Sequence, residues 1–246
     1  WTKAIFRGPA GHGSIPNRSP ENATYKLSKA LEALNTRRLP VHITPQAEQM
    51  INAIADGLDE QMGQMMRLLL NPEHTDAILD EMGEMGRRID ALLHNTASPN
   101  IISGGDKVNV IPGQVEMDID IRLVPGSSAE EVFQELRDLF GVEVELQTVR
   151  SNTDGSDYLD MGLYDTLSDI LLEGQEDAHV FPMLLSGGTD GRHFVKLNIQ
   201  SYGFLPMDLP EDFNFQRTVH AANERIPAEA LEFGTEKIVK VLQRFH

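Results

Sequence analysis

The chain has 246 residues, with 38 Asp and Glu against 21 Lys and Arg and a formal net charge of −17. A field of that sign repels phosphate backbones and anionic lipid surfaces, so nucleic-acid and membrane-surface binding are disfavoured as its main business. Hydrophobic residues make up 40% and cysteine is absent, which gives globular composition without disulfides, thiolate metal sites or a cysteine nucleophile. No apolar run approaches the ~20 residues of a membrane-spanning helix.

The chain opens on Trp1 and directly on a strand, so it is expected to continue an upstream segment. Residues 2–7 alternate as a strand, and Gly8–Pro16 follow as a glycine-rich loop. Ser19-Pro20-Glu21 is expected to open a helix to about Leu34, with Ser19 as N-cap and Pro20 in the first position; Pro40 and Pro45 stop it. Ile51, Ile54, Leu58, Met62, Met65 and Leu69, then Ile78, Met82, Met85, Ile89 and Leu92, step at helical spacing. They predict two amphipathic helices in a hairpin, with the methionines packed as core.

A short strand at 100–103 is followed by a long one. Val115, Met117, Ile119, Ile121 and Leu123 alternate with Glu116, Asp118, Asp120 and Arg122, which describes a half-buried strand. A turn at 125–128, a helix at 130–140 and a strand at 142–149 complete a split βαβ plan interrupted by the helical insertion. Polar residues 151–157 mark the best domain boundary. Beyond it a helix is predicted at about 163–174, strands at 180–184 and 199–203, a short helix at 192–196 and a last helix at about 227–245. Two strands and three helices do not close a sheet sandwich, so this part is expected to be poorly stable alone, whereas the first should fold independently.

Chemistry-bearing residues are scattered. Residues 1–50 carry 7 bases and 3 acids, and this basic opening surrounds Gly11-His12-Gly13-Ser14; a solvated face is the plain explanation. Glycines let a backbone approach a ligand, and His12 can donate to a developing oxyanion, though a surface-loop histidine is the plainer reading. Asn109-Val110-Ile111-Pro112 precedes the strand carrying Arg122, whose guanidinium can fork onto a carboxylate or pair with Asp118 or Asp120 beside it. Ser186-Gly187-Gly188-Thr189-Asp190 offers free N–H groups at a helix start as an anion site, or is a connection capped by Thr189 or Asp190. His220 is able to ligate a metal, but stands alone. His74-Thr75-Asp76 imitates a metal-binding His-x-Asp, yet a helix starts there and Thr75 and Asp76 are natural caps.

Six stretches in this order resemble the M20 family of zinc metallohydrolases, which includes carboxypeptidases, aminoacylases and succinyl-diaminopimelate desuccinylases. They are Gly11-His12-Gly13-Ser14-Ile15-Pro16, residues 107–113, Asp120-Ile121-Arg122, residues 185–190, Tyr202-Gly203-Phe204 and residues 220–225. The resemblance implies an α/β chain. Residues 1–150 would be a ferredoxin-like α+β lid or dimerisation domain with a helical insertion at about 46–98, and residues 157–246 the C-terminal part of an α/β/α zinc-exopeptidase catalytic domain. It implies a homodimer through the lid, no nucleic-acid or membrane partner, and a small acylated amino acid or peptide as substrate of an amide-bond hydrolase.

It also implies two zinc ions that activate a water for attack on the amide carbonyl. In that scheme His220 is the last zinc ligand, and His12 reaches across the dimer to stabilise the oxyanion. Asn109 assists near the same substrate, also across the dimer. Arg122 holds the substrate carboxylate, and Gly188 and Thr189 bind the substrate. The remaining family ligands have no counterpart here, and His74-Thr75-Asp76 lies on the wrong side of the Gly-His-Gly-Ser loop to replace them. The chain alone is therefore expected to be inactive; the alternative is a non-catalytic dimerising or binding module derived from the family. The cytoplasm is the expected compartment, an upstream targeting segment aside.

Overall fold

The computed structural model describes residues 1–15, 18–152, 160–175 and 178–245; Pro16 and most of the polar boundary at 151–157 lie outside them. The first part is built on a four-stranded antiparallel sheet of β1 (Thr2–Arg7), β3 (Thr96–Gly104), β5 (Gln114–Arg122) and β6 (Glu145–Thr148). Its order is β3-β5-β1-β6, the split βαβ plan expected from the alternation. Ala4 and Phe6 of β1 and Val115, Met117 and Ile119 of β5 face inward. They pack against Ala23, Ala30 and Ala33 of α1 (Ala23–Thr36) and Val132, Phe133, Leu136 and Phe140 of α6 (Ala129–Phe140). On the other face Lys3 bridges Glu116 at 2.6 Å and Asp118 at 3.1 Å across the β1–β5 pair. α6 starts in a capping box, Ser128 and Glu131 satisfying each other's backbone N–H groups.

Three expectations change here. α1 begins at Ala23 with Asn22 as N-cap, not at Ser19. The Ser19 hydroxyl accepts from Glu21 N at 3.1 Å and its carbonyl from Asn22 N at 3.2 Å, so this serine closes the turn before the helix. β3 runs over nine residues rather than four, because it pairs along β5 through a register shift between Pro99 and Ile101. β6 is shorter than residues 142–149, and Val142 and Val144 pack against the core from outside the ladder.

The insertion holds four helices rather than two: α2 (Pro45–Asp56), α3 (Glu60–Leu68), α4 (Thr75–Glu81) and α5 (Glu84–Leu93). The apolar period runs unbroken across two stops that it does not report. At the first, Asp59 accepts from Met62 N at 3.0 Å and caps α3. At the second, Gly83 takes φ +59°, a left-handed backbone that only glycine adopts cheaply. A separate core forms from Ala47, Met50, Ile51, Leu69, Leu79, Ile89, Leu92 and Leu93. The methionines divide: Met50 is core and Met66 and Met82 pack against it, whereas Met62, Met65 and Met85 are exposed. The reading of the methionines as core therefore holds for Met82 and fails for Met62 and Met65 on α3 and Met85 at the start of α5.

A buried polar seam joins insertion and sheet domain. The His94 side chain is 1% exposed; Nδ1 lies 2.7 Å from Asp90 Oδ1, and Nε2 3.1 Å from Asp76 Oδ1 without hydrogen-bond alignment. Arg38 closes the group, with Nε 3.0 Å from Asp90 and NH2 2.6 Å from Asp80. Thr75 and Asp76 are therefore not caps: His74 is the N-cap residue, Thr75 donates to Leu69 O at 2.9 Å and Asp76 joins the seam. Alongside, Asn95 donates to Glu135 of α6 at 3.0 Å and accepts from Val124 N at 3.0 Å.

The second part contains α7 (Tyr164–Leu172), α8 (Gly191–Val195), a 3₁₀ turn at Phe215–Arg217 and α9 (Ala228–Arg244). Lys237, 2% exposed, donates from α9 to Ile170 O at 2.7 Å and Glu173 O at 3.0 Å, satisfying carbonyls at the end of α7. The expected strands at 180–184 and 199–203 do not form among the described residues. A strand exists only through a neighbour that takes its backbone groups, and among the described residues these two runs have none. Leu185, Leu197, Leu205, Leu231, Leu242 and Phe245 are each more than 60% exposed. No helix among the described residues is long and apolar enough to cross a membrane.

Limited proteolysis should read this difference. A nonspecific protease is expected to cut first between about residues 178 and 227, where backbone hydrogen bonds are few, and to leave a resistant fragment of the sheet domain with its insertion. Mass spectrometry of the time course would contradict the packing described here if the second part outlived the first.

Candidate functional site

Two expected residues come together. After β1, Gly8 donates to Gly113 O at 3.0 Å, and the chain pairs again as a small ribbon of β2 (Gly11–His12) and β4 (Val110–Ile111). His12 stands opposite Val110, and Gly13 N donates to Asn109 O at 2.8 Å. A side chain at Gly13 would put its Cβ 3.1 Å from the Asn109 carbonyl, so glycine permits the approach. At Gly8 a Cβ would fall 2.2 Å from Glu21 O, which fixes the base of the ribbon against the start of α1. His12 and Asn109 are both exposed on this projecting ribbon, beside Val108 and Ile15.

The other candidates lie elsewhere. Arg122 ends β5, eight residues from Gln114 beside the ribbon, or roughly 26 Å along an extended strand. Its guanidinium pairs with Asp120 at 2.8 Å on the surface, the ion pair its spacing suggests. An exposed pair of this kind holds weakly and leaves the arginine able to change partner.

Gly188 and Thr189 sit in an exposed loop before α8. The Thr189 hydroxyl accepts from Gly191 N at 3.2 Å, a local turn contact beside the N-cap residue Asp190, whose own side chain does not cap, and a five-residue helix supplies no anion site of its own. Neither Gly187 nor Gly188 has positive φ, and a Cβ at either would meet nothing closer than 3.6 Å, so nothing in the described chain requires glycine there.

His220 is exposed and holds φ +58°, a left-handed conformation unusual for a non-glycine residue. Thr218, buried two residues before it, donates to Phe215 O at 2.7 Å and shapes the turn. A cleft of about 420 Å³ opens beside it, lined in part by Asp212, Asn214, Arg217, Asn223 and Arg225. Among the described residues no three His, Asp or Glu side chains gather into a metal-binding group. A catalytic zinc takes about three protein ligands and keeps one position open, so the residues present do not by themselves fit a zinc ion.

Ser14 is the contact that spacing did not single out. Its hydroxyl lies 2.7 Å, and its backbone nitrogen 3.2 Å, from His12 Nδ1. A serine two residues after a histidine in a glycine turn is the signal that could have found it.

Residues 1–145 match the family model of the M20 peptidase dimerisation domain. The chain is 28% identical over 243 residues to N-fatty-acyl-amino acid synthase/hydrolase PM20D1 of Xenopus tropicalis, which covers 95% of this chain and 45% of that protein. It is 26% identical over 227 residues to the probable carboxypeptidase S-like 2 of Dictyostelium discoideum, covering 88% and 41%. The chain thus spans a little under half the length of these curated relatives. The solved structure of the aminopeptidase PepT from Bacillus cereus shares its fold over 98% of this chain and 50% of its own, with a TM-score of 0.51 at 16% identity. Since the family match takes in more than half of the residues, the chain belongs to the M20 peptidase family, and its first 145 residues are the dimerisation domain.

Proposed function

We propose that this chain supplies the lid, residues 1–150, and the closing part of the catalytic domain, residues 157–246, of a homodimeric hydrolase that cleaves amide bonds in carboxylate-bearing substrates. The observation that carries the reading is the ribbon that sets His12 beside Asn109 at one end of the sheet while Arg122 occupies the other. One substrate is too small to touch both ends of a single lid. Two copies remove the difficulty: Arg122 of one grips the substrate carboxylate, while His12 and Asn109 of its partner donate hydrogen bonds to the oxygen that gains negative charge. Gly188 and Thr189 bind the substrate through the open loop. N-acyl amino acids and peptides both end in a free carboxylate, and the two relatives are named for an N-fatty-acyl-amino acid and for carboxypeptidase activity.

The sheet supports the dimer. β3 is an edge strand whose sequence, residues 96–104, carries no charge. Ile101 and Ile102 are 59% and 53% exposed on it. Pro99 blunts only the first half of that edge, and an uncharged, apolar edge is a template for a second copy.

Zinc is the expected metal, and His220 the residue we assign to it. The other ligands are assigned to polypeptide outside these 246 residues, and the chain alone is assigned no activity. Titrating the purified chain with zinc and offering it N-acyl amino acids tests this directly. The expected result is substoichiometric zinc and no hydrolysis, with both restored when the chain is joined to an upstream in-frame segment bearing His-x-Asp and Glu-Glu. Stoichiometric zinc with amidase activity in the isolated chain would overturn the assignment; a start codon near the Trp1 codon would favour the non-catalytic module.

A further inference from the structure

The ribbon turns back on itself immediately after His12. Ile15 N donates to His12 O at 2.9 Å, so residues 12–15 form a closed turn with Gly13 and Ser14 at its centre. The turn aims the Ser14 amide at the imidazole of His12, 3.2 Å from Nδ1, with the Ser14 hydroxyl 2.7 Å from the same nitrogen. Asparagine and aspartate side chains often close a turn by accepting from the N–H two residues on; here an imidazole does so.

This contact has a direction. A backbone amide has a hydrogen to give and no lone pair to receive one, so Nδ1 is the acceptor. A neutral imidazole carries one ring proton, which must then sit on Nε2. The hydroxyl, facing the same lone pair, turns its own hydrogen toward Nδ1. Among the described residues no side chain engages Nε2, and His12 is exposed.

We propose that Ser14 is a positioning residue that locks His12 in the Nε2–H tautomer and so presents an N–H donor at the tip of the ribbon. The alternative tautomer would present a lone pair to the same position. A lone pair repels a developing oxyanion where an N–H stabilises it, so the choice decides the sign of the interaction. The inference rests on the reading of His12 as a donor to the partner's substrate, but the tautomer can be measured without any reaction.

The test uses the full chain with nitrogen-15-labelled histidine, and long-range nitrogen–proton NMR at alkaline pH, where imidazoles are neutral. His74, exposed and without a side-chain partner among the described residues, is the internal reference. Wild-type His12 is expected to show a larger Nε2–H share than His74. Ser14→Ala, which loses the 2.7 Å hydroxyl contact but keeps the amide, should move it part of the way toward the reference, and Ser14→Thr, which keeps a hydroxyl, should hold it. Equal shares at His12 and His74, or no change in Ser14→Ala, overturn the proposal. The second readout is kinetic. In the assembled hydrolase Ser14→Ala should lower kcat about tenfold at unchanged KM, part of the effect of losing an oxyanion donor outright, with Ser14→Thr restoring it. A locked tautomer with unchanged kcat in Ser14→Ala overturns the positioning role. His12→Ala with unchanged kcat overturns the donor role of His12 instead, so the two failures are told apart.

Discussion

Replacing His12 by alanine lowers kcat of the assembled hydrolase roughly 10²–10³-fold, the usual cost of removing one oxyanion donor, and the defect is rescued by a chain with a different defect. In the arrangement proposed above, each site takes Arg122 from one copy and His12 from the other. A heterodimer of a His12→Ala chain with an Arg122→Ala chain therefore holds one site with both residues intact and one with neither. Isolated through two affinity tags and assayed at substrate well below the wild-type KM, it should show about half the wild-type activity per dimer, although under the same conditions each parent homodimer is nearly inactive. Were both residues to serve a site within one chain, every site in the mixed dimer would lack one of them and no activity would return. Arg122→Ala alone should act chiefly through KM for substrates with a free carboxylate, because the carboxylate is charged in ground and transition states alike.

The second large effect concerns the seam beneath the insertion. His94→Ala removes a buried imidazole placed between two carboxylates and leaves Asp90 and Arg38 partly buried without it. Breaking such a group costs about 3 kcal/mol, read as a lower denaturant midpoint. The pH dependence has a definite sign. Burial works against charge on His94, but the hydrogen bond and attraction of Asp90, with Asp76 adding to them, outweigh it and raise its pKa. A raised histidine stabilises fully below its ordinary value of about 6.5 and loses that contribution as pH climbs through the higher folded value.

Asp90 behaves oppositely. Burial favours its neutral form, but hydrogen bonds from His94 and Arg38 overcome this and lower its pKa, so its contribution is lost only as pH falls through that depressed value. The groups that face His94 are thus Asp90 on α5, Asp76 on α4 and Arg38 from the segment after α1, itself held by Asp80. The stability difference between wild type and His94→Gln should shrink as pH rises from about 6 to about 9. Parallel curves across that range would show that folding does not raise the His94 pKa.

What could be read from sequence follows from where the information sits. β5 was legible because its alternation records one buried and one polar face, and the same residues reappear in register against β1. Arg122 with Asp120 was legible because two residues along a strand share a face. The stops inside the insertion were not, since Asp59 and Gly83 act on two or three backbone groups and leave the apolar period intact. The runs at 180–184 and 199–203 carry a strand's composition, but pairing is a property of two segments, and among the described residues neither run is paired. His12 and Asn109 were both suspected, yet their adjacency belongs to the β2–β4 ladder, which unites residues far apart in sequence. The left-handed backbone of His220 has no signature in residue type at all.

The bond from Gly13 N to Asn109 O ties the stretches carrying His12 and Asn109 to one another more directly than either is tied to the sheet. Any tilt about the Gly8–Gly113 base would therefore carry the backbones of His12 and Asn109 together. In the arrangement proposed above, such a lever would change how far the two residues reach toward the partner's substrate while their backbones stay in register.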